Sequence, residues 1–139
     1  KMSAICMISD RFSGGAVTAR GGKVTLDLQL NRARWCGVTE IRVRVGVGTG
    51  HRVIATLPVA ADQRTRRDQL VVPVGTADTW IGVDASGDAP LPIEMTGSYH
   101  AEKRRPGAVP YAIISPILVD ADGDGRVRFG LAEVAVPPR

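Results

Sequence analysis

The chain has 139 residues, 44% of them hydrophobic and 23% charged, with 18 Lys and Arg against 14 Asp and Glu for a net charge of +4. That is one domain's worth of ordinary globular composition, enough to bury a core without disulfide or metal staples. No run approaches the ~20 consecutive apolar residues of a transmembrane helix, so no helical membrane span is expected.

The first element in chain order is Met2-Ser3-Ala4-Ile5-Cys6-Met7-Ile8. It is too short for the apolar core of a signal peptide and reads as a first strand, or as the middle of a longer protein cut just upstream. Residues 23–30 alternate polar and apolar side chains without error, which predicts a half-buried strand. Residues 41–45 repeat the pattern with Arg42 and Arg44 on the outer face, where a change of charge is expected to cost little. Gly46-Val47-Gly48-Thr49-Gly50 then predicts a hairpin turn into a strand over 52–57. It is no dinucleotide loop, because the third glycine of that fingerprint is replaced by His51 and a strand, not a helix, follows. Residues 60–67 offer a helical turn or two at most. Short β-branched runs continue over 69–74, 79–85, 111–119 and 126–134, separated by Gly, Pro and Asp turn signals.

The expected fold is therefore all-β: one antiparallel β-sandwich of immunoglobulin-like type with seven to eight strands, spanning 1–139 as a single domain. Leu26, Leu28, Ile41, Val43, Leu70, Val72, Ile81 and Val83 occupy like-facing alternate positions and should share one inter-sheet core.

Chemistry-bearing residues are sparse. Ser98-Tyr99-His100 and Ser115 supply hydroxyls, but no Gly-x-Ser-x-Gly elbow surrounds them. Cys6 and Cys36 lie in no metal-ligand spacing, even with His51 and His100, and read as buried thiols; a disulfide between them stays open for an exported chain. The basic clusters Arg64, Arg66, Arg67 and Lys103, Arg104, Arg105 each adjoin an acid and lack interleaved aromatics. They read as solvated loop charge, and no nucleic-acid partner is expected.

The most informative segment is Asp120-Ala121-Asp122-Gly123-Asp124-Gly125-Arg126, entered from the apolar run Ile117-Leu118-Val119. Carboxylates at positions 1, 3 and 5, a glycine at 6 and a carbonyl at 7 are what a tight calcium loop uses. The expected metal ligands are thus Asp120, Asp122, Asp124 and the Arg126 carbonyl, holding Ca²⁺ weakly. Leu131 stands where a full EF-hand loop has its bidentate glutamate, and Pro116 is no entering helix. The competing reading is an Asx turn whose carboxylates take backbone N–H groups and no metal. Loops of this kind recur in extracellular modules, which suits an extracellular or periplasmic address.

The order Trp80-Ile81-Gly82-Val83-Asp84-Ala85-Ser86-Gly87-Asp88, then Pro110-Tyr111-Ala112-Ile113-Ile114-Ser115-Pro116-Ile117-Leu118-Val119-Asp120 and its Asp-Gly loop, resembles the C-terminal portion of PHP-type (polymerase and histidinol phosphatase) metal-dependent hydrolases. The resemblance runs from about Gly21 to Val127, with Ile114-Ser115 in place of the usual Thr-Asn. It implies an accessory sandwich beside a hydrolase catalytic domain, the C-terminal part of a longer protein. The catalytic set does not carry over, since that family's His-x-His ligands are absent and this chain has only two histidines. Two functions follow: a noncatalytic module of, or associated with, such a hydrolase, or a free-standing structural or adhesion-type module that meets a neighbouring subunit through a calcium-braced loop. Catalysis by this chain alone is not expected.

Overall fold

The computed structural model describes residues 6–8, 14–92, 94, 108–129 and 132–136. The expected first strand is present as β1 (Cys6–Ile8), followed by β2 (Ala16–Thr18), β3 (Lys23–Asn31), β4 (Glu40–Val47), β5 (Gly50–Pro58) and β6 (Thr65–Pro73). The remainder comprises β7 (Thr79–Ser86), β8 (Tyr111–Ile113), β9 (Ile117–Asp120), β10 (Arg126–Phe129) and β11 (Ala132–Ala135). The chain is all-β, as its period-two alternation requires.

Three strands form one sheet in the order β1-β3-β6. The larger sheet runs β2-β9-β7-β4-β5, with β8 also on β7, and β10-β11 form a separate hairpin. Every described pairing is antiparallel except β2 with β9, so the larger sheet is mixed rather than wholly antiparallel. Eleven strands among the described residues replace the seven or eight expected, because two apolar runs are each cut in two and β2 adds a strand that no run announced. Pro116, which cannot donate to a ladder, falls in the gap between β8 and β9. Residues 126–134 form the β10–β11 hairpin rather than one strand. No helical turn forms over 60–67: a turn at 61–62 leads straight into β6 at Thr65.

Burial follows the alternation. Leu26, Leu28, Ile41, Val43, Val72, Ile81 and Val83 are buried, and Leu70 packs against them half-exposed; all eight enter one hydrophobic cluster fed by both sheets. Val43 and Val83 are cross-strand partners at 0% and 1% exposure, so the centre of the larger sheet is solvent-free. Cys36 is a free, buried thiol in that core; the side chain of Cys6 lies outside the described residues, as do His100 and the cluster Lys103, Arg104, Arg105.

The glycine run makes the expected hairpin, with Val47 opposite Gly50 and Gly48 at φ +56°. Gly46 has a second role. A Cβ there would come within 2.3 Å of the Trp80 ring. Its absence lets the indole lie across β4 and donate Nε1–H to the Gly48 carbonyl at 3.1 Å.

Candidate functional site: the aspartate loop

β9 ends at Asp120, the loop 121–125 follows, and β10 starts at Arg126. This is the turn for which the sequence offers a calcium loop or a metal-free Asx turn. Asp120 is fully buried, which an ionised carboxylate tolerates only with donors around it. Three are supplied. Gly123 N–H donates at 2.6 Å, Gly125 N–H at 3.0 Å, and the Thr18 hydroxyl at 3.1 Å. Gly123 and Gly125 both sit at φ +82°, a conformation that residues with a Cβ rarely adopt, and this is what turns their N–H groups onto one carboxylate. Thr18 comes from β2, whose parallel register sets it beside Asp120.

Burial alone pushes the Asp120 carboxyl up. The Gly123 and Gly125 N–H groups, with smaller help from Thr18 and Asp122, outweigh it and hold the group below its ordinary value. A lowered folded-state pKa adds stability above the unfolded value of about 3.9 and loses it as pH falls through the folded value. Denaturation midpoints should therefore drop on acidification below about pH 4. Asp120→Asn, which keeps one acceptor but no charge, should cost about 1–2 kcal/mol near neutrality and flatten that acid limb. Urea titrations at several pH values read both effects; an unchanged acid limb in the variant would assign it to other carboxylates.

The remaining aspartates divide. Asp122 accepts the Asp124 N–H at 3.1 Å and is exposed. Asp124 instead accepts the Arg126 N–H at 2.9 Å and pairs with the Arg128 guanidinium at 2.6 Å, which is held more firmly protonated as a result. Arg126 opens β10, its side chain bound to Glu133 at 2.6 Å. The group the fold assembles is Asp78, Asp120 and Asp122, each offering an oxygen within 4.8 Å of the others. Oxygens at this spacing are close enough to ligate one metal ion.

Asp78 was not among the expected ligands. It lies 42 positions before Asp120, just ahead of β7, and accepts the Ala121 N–H at 3.4 Å and the Arg128 N–H at 2.7 Å. Pairing supplies the signal that the local motif lacks. Thr79 sits opposite Val119, so one step along the antiparallel ladder puts Asp78 beside Asp120.

A second polar group lies on the outer face of the larger sheet. Asp84, 2% exposed, receives Arg42 Nε at 2.8 Å and Arg44 Nε at 2.7 Å, one guanidinium to each oxygen. The contact with Asp84 also strengthens the hold of Arg44 on its proton. Arg44 continues to His51 Nε2 at 3.2 Å, and the His51 ring stands 5.8 Å from that of Trp80. Nothing in this network pairs a nucleophile with a base; its geometry ties β4 to β7.

Comparison of the chain with family models, with curated proteins and with solved structures returns no match. No helix among the described residues is long and apolar enough to cross a membrane.

Proposed function

We propose that the chain is a noncatalytic β-sandwich module with a structural or adhesive role, in which Ca²⁺ braces the aspartate loop. The carrying observation is the convergence of Asp78, Asp120 and Asp122 oxygens within 4.8 Å, drawn from two separate connections. A cation there would link the approach to β7 with the end of β9, stiffening the edge where β2, β9 and β10 meet. Three carboxylate oxygens leave water to complete the six to eight ligands that calcium takes, which makes the site a weak one, about 10⁻⁴–10⁻³ M. An accessory role beside a PHP-type hydrolase is a narrower form of the same proposal and rests on motif order alone.

The test is thermal melting and calorimetry of the full chain with Ca²⁺ and with equal Mg²⁺. Millimolar Ca²⁺ should raise the melting temperature, by about 1.4 kcal/mol of stability at ten times the dissociation constant. Mg²⁺, which demands tighter octahedral geometry, should not. Asp122→Asn and Asp78→Asn should each remove the gain, whereas Glu133→Gln should keep it. A melting curve that ignores Ca²⁺, with no heat of binding, would leave the loop as an Asx turn.

A further inference from the structure

Arg32 follows directly on the last residue of β3, and its guanidinium is wholly occupied. Nε donates to the Gln63 carbonyl at 2.6 Å, and Nη1 to Cys36 and Val38 at 2.9 and 3.1 Å. Nη2 donates to Ala60 and Ala61 at 2.7 and 2.6 Å. These carbonyls satisfy all five donors and leave the formal charge uncancelled. Arg34 stands exposed two residues on, and Arg64 is tied in by its carbonyl, which accepts the Arg32 N–H at 2.9 Å.

Together with Ala33, Ala61 and Asp62, these three arginines line a cleft of about 210 Å³. The step from Arg64 to Thr65 leads into a second depression of about 270 Å³, lined by Gln29, Asn31, Thr65, Arg66 and Arg67. Arg66 is neutralised there by Asp68 at 2.5 Å. Arg32, Arg34, Arg64 and Arg67 make no ion pair among the described residues. Among the described residues, Asp62 is the one carboxylate that lines either depression. Four arginines without an ion pair among the described residues thus face a single carboxylate across the two clefts. Like charges held together raise the energy of the free protein, and an anion between them relieves it.

We propose that these adjoining clefts bind an oxyanion, the phosphate or sulfate group of a small ligand. Arg34 and Arg64 supply planar N–H forks that match its oxygens, and Arg67 with the Gln29 and Asn31 amides extends the grip. Arg32 has no donor left to offer and contributes a fixed positive field. No aromatic side chain among the described residues lines either cleft, so no stacking platform for a single-stranded nucleic acid is in view.

The experiment titrates the full chain with inorganic phosphate, pyrophosphate and sulfate in low-salt buffer, read by calorimetry and backbone amide shifts. Saturable binding is expected, with shifts centred on residues 31–36 and 60–67 and an affinity that falls as NaCl is added. Arg34→Ser and Arg64→Ser should each weaken it about tenfold. Arg52→Ser, an exposed arginine on β5, should leave it within about twofold if the site is local. Melting temperatures confirm that all three variants fold, since none of these side chains makes a described hydrogen bond. Phosphate bound more tightly than sulfate assigns a phosphate ligand; the reverse assigns a sulfate. No saturation at tens of millimolar anion, or equal losses in Arg34→Ser and Arg52→Ser, would overturn the site.

Discussion

Val43→Asp and Arg42→Asp, neighbours on β4 that face opposite ways, should each cost a large share of the stability of the fold. Val43 is 0% exposed, and an aspartate there meets only apolar side chains of the shared core. An unpaired buried charge belongs to the mechanisms that exceed about 4 kcal/mol, against a total of about 5–15 kcal/mol for a domain. Arg42 looks like a surface residue by alternation, and by that reading its replacement costs almost nothing. The structure revises this. Arg42 is the cross-strand partner of Asp84, and its guanidinium reaches the buried carboxylate at 2.7 Å. Arg42→Asp removes that partner and sets a second carboxylate about 5 Å away, leaving Arg44 to hold both. The cost should be about 3–5 kcal/mol, the range for breaking a buried pair. Arg52→Asp, on an exposed stretch of β5, should stay within about 0.5 kcal/mol. Guanidinium midpoints for the three variants decide the matter: an Arg42→Asp curve overlying that of Arg52→Asp would show that Asp84 does not depend on Arg42.

The same pair marks where sequence pattern stops being sufficient. Alternation assigns a face to each residue of β3, β4 and β7, and burial agrees with it for Leu26, Leu28, Ile41, Val43, Ile81 and Val83. It says nothing about which outward residues meet. Asp84 is buried on the outer face because Arg42 stands opposite it on one side and Ile113 of β8 on the other. Both facts belong to register, which links residues 42 and 29 positions apart. The start of β6 is hidden for a related reason. Arg66 and Asp68 hold inward-facing positions where a strand pattern asks for apolar side chains, and their mutual pairing at 2.5 Å is what makes this tolerable.

β2 has only three residues, too few for any period to register, and its partner β9 lies 102 positions away. The aspartate loop itself was legible as a tight turn fed by a strand, because Asp-x-Asp-Gly-Asp-Gly states its geometry locally. Its third carboxylate was not. Asp78 joins Asp120 through the β7–β9 ladder, and a motif confined to consecutive residues cannot report it. Asp124 shows the converse. Spacing marks it as a loop carboxylate but is silent on Arg128, four residues on, which pairs with it at 2.6 Å.

Arg32→Ala should destabilise the domain by about 3–4 kcal/mol, the largest effect expected of any side chain outside the core and the Asp84 network. Five carbonyls from two separate stretches, 36–38 and 60–63, converge on this one guanidinium at 2.6–3.1 Å. Each hydrogen bond to a charged donor is worth about 1.5–3 kcal/mol, but the two at Nη2 are exposed and water can replace them. The three that are part-buried carry the estimate, at about 1 kcal/mol each, below that range because water reaches part of the site as well. The consequence should be local as well as global, because Arg32 bridges the connection leading to β4 and the connection joining β5 to β6. Amide exchange over residues 33–39 and 59–64 should rise by more than elsewhere. Arg32→Lys tests geometry against charge. A lysine keeps the cation but has three donors from a single nitrogen, which cannot span carbonyls arrayed around a planar fork. It should recover less than half of the loss, and exchange at both connections should stay fast. If lysine restores full stability, the charge rather than the fivefold fork would be what the two connections require, and a water-filled Arg32→Ala site with unchanged midpoint would deny Arg32 any part in holding them.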